Sequence, residues 1–342
     1  MRDFLAGGLA LLLFLGGPLS VLTPIPLAHL AISRGKPSRA AWLAALITVI
    51  VALLYFVPSS QAPAGIIDFL KISLPGFAMK ESYGLWRGFS GGLAYLGWLL
   101  ALGFVLVSSK LPRTVEWRIV IWLGGSCLVW IVLLSLWLRP EGMGIVAYFS
   151  AAIHNMMEQI LSVDSGGGIK GEQLDFLRAN RTAIEGGLLR MVPAMTLCGM
   201  LGILWANAVL LRVWARMDQI PPALGSDHPL ARPLSLWRVP DHLTWFVIAA
   251  GALFFINAYL IKADSIRWIL LNTFVVLGMI YFLHGLGITS FFLRRRFNPI
   301  VRGLVYGIIF IFFQTLGVVI VSLGFFDLWL DFRRLQTKNA RP

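Results

Sequence analysis

Long apolar runs, separated by short polar and charged segments, set the pattern of this chain. Eight of these runs hold enough apolar residues to cross about 30 Å of hydrocarbon as helices. They cover residues 4–32, 40–57, 88–108, 117–138, 186–211, 243–262, 268–293 and 300–324. The short alternating strands of a transmembrane barrel do not occur in the pattern. The sequence therefore predicts an all-α protein, a polytopic transmembrane helical bundle of about eight spans.

Two apolar segments leave their path through the bilayer open. Residues 4–32 are longer than one span and contain Pro18, Pro24 and Pro26, and each proline removes a backbone donor and interrupts a regular helix. This segment is therefore either one kinked helix or a close pair of half-crossings. The segment 64–79 is shorter and includes two charged residues, so we predict an interfacial or re-entrant element there.

Composition and charge support the same class of protein. Hydrophobic residues make up 58% of the chain and charged residues 13%, which leaves too little polar surface for a soluble domain of this length. The net charge of +13 comes largely from loops between spans, as topogenic charge does. We therefore predict contact with the lipid bilayer and no nucleic-acid partner. Cys127 and Cys198 lie inside apolar runs and do not indicate a disulfide framework.

The basic loops also predict an orientation, because lysine and arginine resist translocation across the membrane. The loops richest in basic residues are 33–39, 110–118, 212–241 and 294–302. Placing them in the cytoplasm makes the eight spans alternate consistently. The loops 58–87, 139–185 and 262–267 are then extracytoplasmic. The basic C-terminal tail also falls on the outside, against the charge rule.

The segment 139–185 is polar enough to lie outside the bilayer. Residues 144–161 predict an amphipathic helix, followed by a glycine-rich hinge at 164–171 and a second, polar helix. The apolar face of the first helix comprises Ile145, Phe149, Ile153, Met156 and Ile160. The two helices form either a lid over the bundle or a surface spacer. The predicted organisation is N-terminal transmembrane helices at 1–138, the insert at 139–185, a C-terminal bundle at 186–335 and a polar tail at 336–342.

Polar side chains within hydrocarbon are costly and mark candidate sites. The second half of the chain contains Arg190, Asn257, Asn272, His284, Gln314 and Asp327, which we predict as substrate-binding residues. In the predicted orientation the arginine, both asparagines and the aspartate share one depth near the extracytoplasmic face, whereas the histidine and glutamine lie deeper. Hydrogen bonds between helices are the alternative for the amides. An ion pair between Arg190 and Asp327 is the alternative for the two charges.

The last apolar run ends in LGFFDLWLDFRRLQ, residues 323–336. Asp327 and Asp331 are one helical turn apart, and Arg334 follows close enough to pair with Asp331. The simplest interpretation is a helix end whose aspartates meet arginines at the headgroup level. Contact between Asp327 and a ligand remains the alternative.

Catalytic motifs are missing from the sequence. It contains no G-x-S-x-G, P-loop or H-E-x-x-H pattern and no paired intramembrane carboxylates. His154 and Glu158 are one helical turn apart, but zinc needs three or four ligands and no cysteine or second histidine lies nearby in the sequence. We therefore predict that the protein is not an enzyme and that it holds neither a metal nor a cofactor.

Several stretches together carry a family resemblance. They are LAISRGKPSRAAWLAAL (30–46), LWRVPDHLTWF (236–246), LNTFVVLGMIYFLHGLGITSFFLRRR (271–296) and LGFFDLWLDFRRL (323–335). The chain resembles the YybS-like family of bacterial multi-pass membrane proteins. That resemblance implies a multi-pass protein of the bacterial cytoplasmic (inner) membrane.

The YybS-like proteins are in turn distantly similar to the S components of energy-coupling-factor transporters and to the rod-shape protein MreD. The S-component likeness implies a small-molecule site near the extracytoplasmic face, in a transporter subunit or a sensor. It also implies a membrane protein partner that docks through small residues of the first helix, where Ala6 and Ala10 have the required spacing. The MreD likeness implies the alternative, a non-transport scaffold that recruits partner proteins.

Overall fold

The computed structural model describes residues 2–34, 37–56, 67, 68, 70, 71, 85–108, 115–162, 171–217 and 234–333. These residues are almost all helical, and no strand occurs among them. The helices are α1 (Arg2–Phe14), α2 (Pro24–Arg34), α3 (Pro37–Tyr55), α4 (Leu85–Val107), α5 (Val115–Leu138), α6 (Ile145–Ser162), α7 (Gly171–Ala179), α8 (Arg181–Met217), α9 (Asp241–Ile256), α10 (Asp264–Arg296), α11 (Pro299–Ile311) and α12 (Phe313–Leu330). The predicted all-α polytopic bundle is confirmed.

Seven helices of the described part are long and apolar enough to cross a membrane: α3, α4, α5, α8, α9 with its continuation to Ile261, α10 and α12. The chain divides into two compact units. The first comprises Met1–Cys127 and Gly202–Leu234, and the second comprises Leu128–Leu201 and Ser235–Pro342. The helices α5 and α8 each contribute to both units.

The first unit begins with a helical hairpin instead of a kinked span. Arg39, at the start of α3, donates to Asp3 at the start of α1 over 2.8 Å, and Gly7 packs against Leu43 further along α3. The chain leaves α1 at Phe14, passes through a 3₁₀ turn at Gly17–Leu22 and returns through α2 to the residues just before α3. Residues 4–32 therefore form two short helices that fold back on each other, as the second of the two predicted alternatives requires.

The prolines and one glycine explain why the hairpin forms. Gly17 has a φ of 61°, a left-handed conformation that glycine adopts without strain. Pro18 then begins the 3₁₀ turn and Pro24 begins α2, positions where a missing N–H disrupts no helical bond. With 13 residues, α1 is about 20 Å long and too short to cross the bilayer alone.

The second unit is organised around the crossing of α10 and α12. A Cβ atom at Gly285 would meet the carbonyl group of Ile320, and one at Gly324 would meet the carbonyl group of Tyr281. Small residues of this kind let two membrane helices approach backbone to backbone. The predicted single span over 300–324 is wrong, because the helix breaks at Phe312 into α11 and α12 and continues to Leu330. The break falls in a run of β-branched and aromatic residues of low helix propensity.

The insert contains the two helices that the sequence predicts, α6 and α7. The inward-facing methionine of α6 is Met157, with 3% of its surface exposed, whereas the predicted Met156 is 45% exposed. Met157 lies one full turn after Ile153, which places it on the same face. The predicted hinge at 164–171 lies almost entirely outside the described residues, as does most of the predicted interfacial segment 64–79.

Candidate functional site

The six predicted site residues divide among separate parts of the second unit. Arg190, Asn257 and Asn272 lie around the junction between α9 and α10. His284 and Asp327 lie together at the crossing of α10 and α12. Gln314 is exposed in the first turn of α12. The structure thus separates Asp327 from the residues predicted to share its depth.

Arg190 and Asp264 form an ion pair at the start of α10. The Nη1 atom of Arg190 donates to Oδ2 of Asp264 over 2.7 Å, and the two side chains are 51% and 58% exposed. The guanidinium carbon of Arg190 lies 5.1 Å from the ring centroid of Trp268, one turn further along α10. This arrangement combines a charge pair with a cation–π contact. We call Arg190, Asp264 and Trp268 the Arg190 site.

Asn272 joins α10 to a proline in α8. Its Oδ1 atom accepts from Ala194 N over 3.0 Å, and its Nδ2 atom donates to Arg190 O over 2.9 Å. A regular helix would pair these two backbone groups with each other. Because Pro193 lies between them and proline distorts a helix interior, the amide of Asn272 supplies partners to both. The role of Asn272 in the fold is therefore structural.

Asn257 closes the turn between α9 and α10. Its side chain donates to Ala263 O and accepts from Ala263 N, each over 3.1 Å. Lys262 lies between them in a left-handed conformation, with a φ of 56°. Asn257 is 4% exposed, and its amide is satisfied by backbone groups on both sides. Both asparagines thus use their amides in hydrogen bonds within the protein.

Asp327 pairs with Arg333 and not with Arg190. The Nη2 atom of Arg333 donates to Oδ2 of Asp327 over 2.7 Å, and both side chains are at most 1% exposed. The same Nη2 atom lies 2.8 Å from Nε2 of His284. The Nη1 atom of Arg333 donates to the carbonyl oxygens of Ser235 and Trp237. We call His284, Asp327 and Arg333 the buried triad.

The hydrogen bonds define the tautomer of His284. Arginine can only donate, so Nε2 of His284 accepts from Arg333. The other ring nitrogen, Nδ1, then carries the hydrogen and donates to Gly324 O over 3.0 Å. The imidazole ring connects the charge pair to the backbone of α12, at the point where Gly324 contacts α10.

The buried triad corrects the predicted depth of Asp327. Asp264 binds Arg190, whereas His284 beside Asp327 lies 20 residues further along α10, a distance of about 30 Å along the axis. Arg333 also contacts the residues just before α9, which belong to the predicted cytoplasmic loop 212–241. The segment just after α12 thus lies at that end of α9. Arg334, the predicted partner of Asp331, lies outside the described residues.

A third polar group attaches the insert to α8. The Nε atom of Arg181 donates to Oε1 of Glu185 over 2.8 Å, and Nδ1 of His154 in α6 lies 3.3 Å from the same oxygen. His154 also lies near Glu158, at 3.5 Å. These contacts hold α6 against the first turns of α8. Among the described residues, no group of three acidic, histidine or cysteine side chains is arranged to hold a metal ion.

Three important residues escaped the sequence analysis. Asp264 is the first residue of α10, and Trp268 lies one turn later. An acidic residue is typical of a helix start and a tryptophan is typical of a membrane interface, so neither residue indicated a site. Arg333 was visible in the DFRRL stretch, but the hydropathy pattern placed it among the headgroups. A signal was available for Asp264. It follows the short α9–α10 turn, which the predicted orientation places on the same side of the membrane as Arg190.

The helices and their polar groups define a polytopic helical membrane protein. The family model described as predicted membrane protein (DUF2232) matches residues 8–328, so the chain belongs to the DUF2232 family of predicted membrane proteins. No curated protein and no solved structure gives a significant match to the chain.

Proposed function

We propose that the protein binds a small molecule at the Arg190 site, as an S-component-like transporter subunit or a sensor in the bacterial cytoplasmic membrane. The half-exposed ion pair between Arg190 and Asp264 supports this proposal most directly. Among the described residues, Arg190 makes one side-chain hydrogen bond and so has most of its five donors available. The asparagines and the buried triad, in contrast, already use most of their polar groups within the protein.

The chemistry of the site favours an anionic or zwitterionic ligand. A guanidinium group binds carboxylate and phosphate groups through paired hydrogen bonds. Asp264 is positioned to accept from an amino group of the same molecule, and the face of Trp268 offers an apolar surface. The α9–α10 turn lies on the extracytoplasmic side in the predicted orientation. The site therefore agrees in position with the ligand site that the S-component likeness implies.

Native mass spectrometry of the gently purified full-length protein tests the proposal. We expect a retained small-molecule adduct on the wild type, and loss of that adduct in Arg190→Ala. Arg267→Ala is the matched control, because Arg267 lies 5.9 Å from the same Trp268 ring and is exposed outside the ion pair. Equal adducts on both variants, or a wild type without an adduct after incubation with a panel of carboxylates and phosphates, would contradict the proposal.

The second candidate function is a non-transport scaffold, as the MreD likeness implies. The helix α5 leaves large apolar residues such as Leu128, Ile131 and Leu136 exposed along its length, a surface that either lipid or a partner helix can cover. The proposed docking residues of the first helix give less support, since Ala10 is fully buried inside the first unit. A protein partner retained in the same mass spectra, without a small-molecule adduct, would favour the scaffold.

A further inference from the structure

The N-terminal hairpin turns at the 3₁₀ segment Gly17–Leu22 and Thr23, which we call the hairpin tip. This irregular backbone segment lies deep in the first unit. The hydroxyl groups of Ser20 and Tyr95 lie 2.8 Å apart, and Tyr95 lies midway along the 23-residue spanning helix α4. The tip therefore lies near half the depth of a spanning helix. Non-helical backbone at such a depth occurs only where it is buried in protein or lines a polar cavity.

Neutral oxygen atoms surround this tip. Thr23 Oγ1 donates to Ser20 O over 2.6 Å, and Asn207 in α8 donates to Val21 O over 2.9 Å. Ser20, Thr23 and Asn207 are all at most 4% exposed. The hydroxyls, the side-chain amide and the backbone carbonyls of the 3₁₀ turn thus form one buried polar cluster.

The side chain of Asn207 contributes an oxygen atom, Oδ1, that has no hydrogen-bond partner among the described residues. Its Nδ2 atom donates to both Val21 O and Ile203 O, each over 2.9 Å. A flipped amide would set Oδ1 against these two carbonyl oxygens, so the hydrogen bonds determine its orientation. Oδ1 is also buried. It is bonded to the same carbon as Nδ2 and therefore also lies beside the hairpin tip. A buried acceptor of this kind requires a partner.

The helix ends that meet at the tip favour a cation. The C-terminal end of α1 points its carbonyl groups at the tip and carries partial negative charge. The opposing N-terminal end of α2 contributes fewer donors, because Pro24 and Pro26 have no N–H group. The segments that meet here, residues 4–34, 85–107 and 202–217, contain no aspartate or glutamate. A divalent ion would require carboxylate ligands, so these neutral oxygens suit a monovalent ion.

We infer that the hairpin tip, formed by Ser20, Val21, Thr23, Tyr95 and Asn207, binds a small monovalent cation such as Na⁺. The oxygen of the Asn207 amide, the hydroxyls and the tip carbonyls are the ligands. Broken membrane helices that coordinate Na⁺ through unwound backbone and helix C-terminal ends use the same chemistry. This site is independent of the Arg190 site, which belongs to the other unit.

Thermal unfolding of the purified full-length protein in NaCl and in choline chloride of equal ionic strength tests the inference. A bound cation stabilises the folded state by mass action, so we expect the melting temperature to rise saturably with Na⁺ and not with choline. Tyr95→Phe and Ser20→Ala each remove one hydroxyl while retaining the packing. Each should raise the half-saturating Na⁺ concentration by about tenfold, as the loss of one moderate interaction does. Asn207→Ala should abolish the response.

Thr48→Val is the matched control, because the Thr48 hydroxyl bonds only to its own helix at Ala44 O among the contacts described. Its Na⁺ response should equal that of the wild type, as should the response of Arg190→Ala. Broadening of the ²³Na resonance gives a second readout that does not depend on stability. Equal melting temperatures in Na⁺ and choline, or an unchanged half-saturating concentration in both hydroxyl variants, would overturn the inference.

Discussion

Arg333 illustrates how one residue can satisfy several buried groups. It pairs with Asp327, donates to His284 and donates to two backbone carbonyls before α9. A charge pair that is fully removed from water is tolerated only with this number of partners. The stretch that the hydropathy pattern predicts at the membrane surface is therefore a buried connection between the end of α12 and the residues just before α9.

Removing one member of the buried triad should destabilise the protein strongly. Arg333→Ala leaves the Asp327 carboxylate buried without its cation, so we expect a loss of about 3–5 kcal/mol in the free energy of unfolding. The double variant Arg333→Met/Asp327→Leu should lose less than the sum of the single variants. Denaturant or thermal unfolding in detergent gives the comparison.

The exposed pair between Arg39 and Asp3 is the control for that measurement. Its side chains are 50% and 20% exposed, so Arg39→Ala should cost less than about 1 kcal/mol. If Arg333→Ala has an equally small effect, the triad is not a structural element of the fold.

Asn272 offers a second test at the scale of single residues. Asn272→Ala removes partners from the backbone groups of Arg190 and Ala194, and an unsatisfied buried group costs about 1–3 kcal/mol. In a Pro193→Ala background the helix can pair these groups itself, so the same substitution should cost less. Unfolding of the two single variants and the double variant measures this coupling. Purely additive losses would show that Asn272 does not compensate for the proline.

At the scale of elements, two glycines determine how closely α10 and α12 approach. Gly285→Ala and Gly324→Ala would each place a methyl group against the backbone of the other helix, which should cost about 1–3 kcal/mol or more. Gly278→Ala on the same helix is the control, because no atom lies within 4 Å of a Cβ added there. It should be neutral or stabilise by up to about 1 kcal/mol. Melting temperatures of the three variants check the order, and equal effects would contradict the close crossing.

The elements also show what the sequence could predict. The long apolar runs give most of the spanning helices, because length and hydrophobicity alone determine whether a helix can cross the bilayer. They cannot give the direction of short helices, so the hairpin of α1 and α2 remained one of two alternatives. The break at Phe312 was invisible, since an apolar run continues through it. Hydropathy indicates whether a segment lies in lipid or in water, but it does not indicate the backbone angles of that segment.

The site was predictable to a smaller degree, for a related reason. Intramembrane polarity selected residues whose side chains make specific contacts within the protein, such as Asn257 and Asn272. The partners of Asn272 and Arg190 depend on tertiary contacts between distant parts of the chain, as for Arg190 and Asp264, 74 residues apart. Depth estimated from span ends placed Asp327 with Arg190. The extension of α12 to Leu330 and the turn that follows it placed Asp327 with Arg333 instead.

At the scale of the whole molecule, the membrane orientation is the remaining prediction. The hairpin brings Asp3 next to Arg39, so the N-terminus and the loop 33–39 lie at one end of α3. The contacts of Arg333 bring the segment just after α12 to the end of α9 that follows the loop 212–241. Both arrangements place basic segments together, which satisfies the charge rule better than a tail on the outside.

We therefore expect the tail and the basic loops to face the cytoplasm. Single cysteines introduced as Arg295→Cys and Lys338→Cys, in a background with Cys127 and Cys198 replaced by serine, should resist a membrane-impermeant thiol reagent in intact cells. Both should react after permeabilisation, which controls for accessibility. Met143→Cys, exposed just before α6, should react from outside. Labelling of Lys338→Cys but not Arg295→Cys in intact cells would separate the tail from the cytoplasmic loops. It would also contradict the contacts of Arg333, because five residues cannot return the chain across the bilayer.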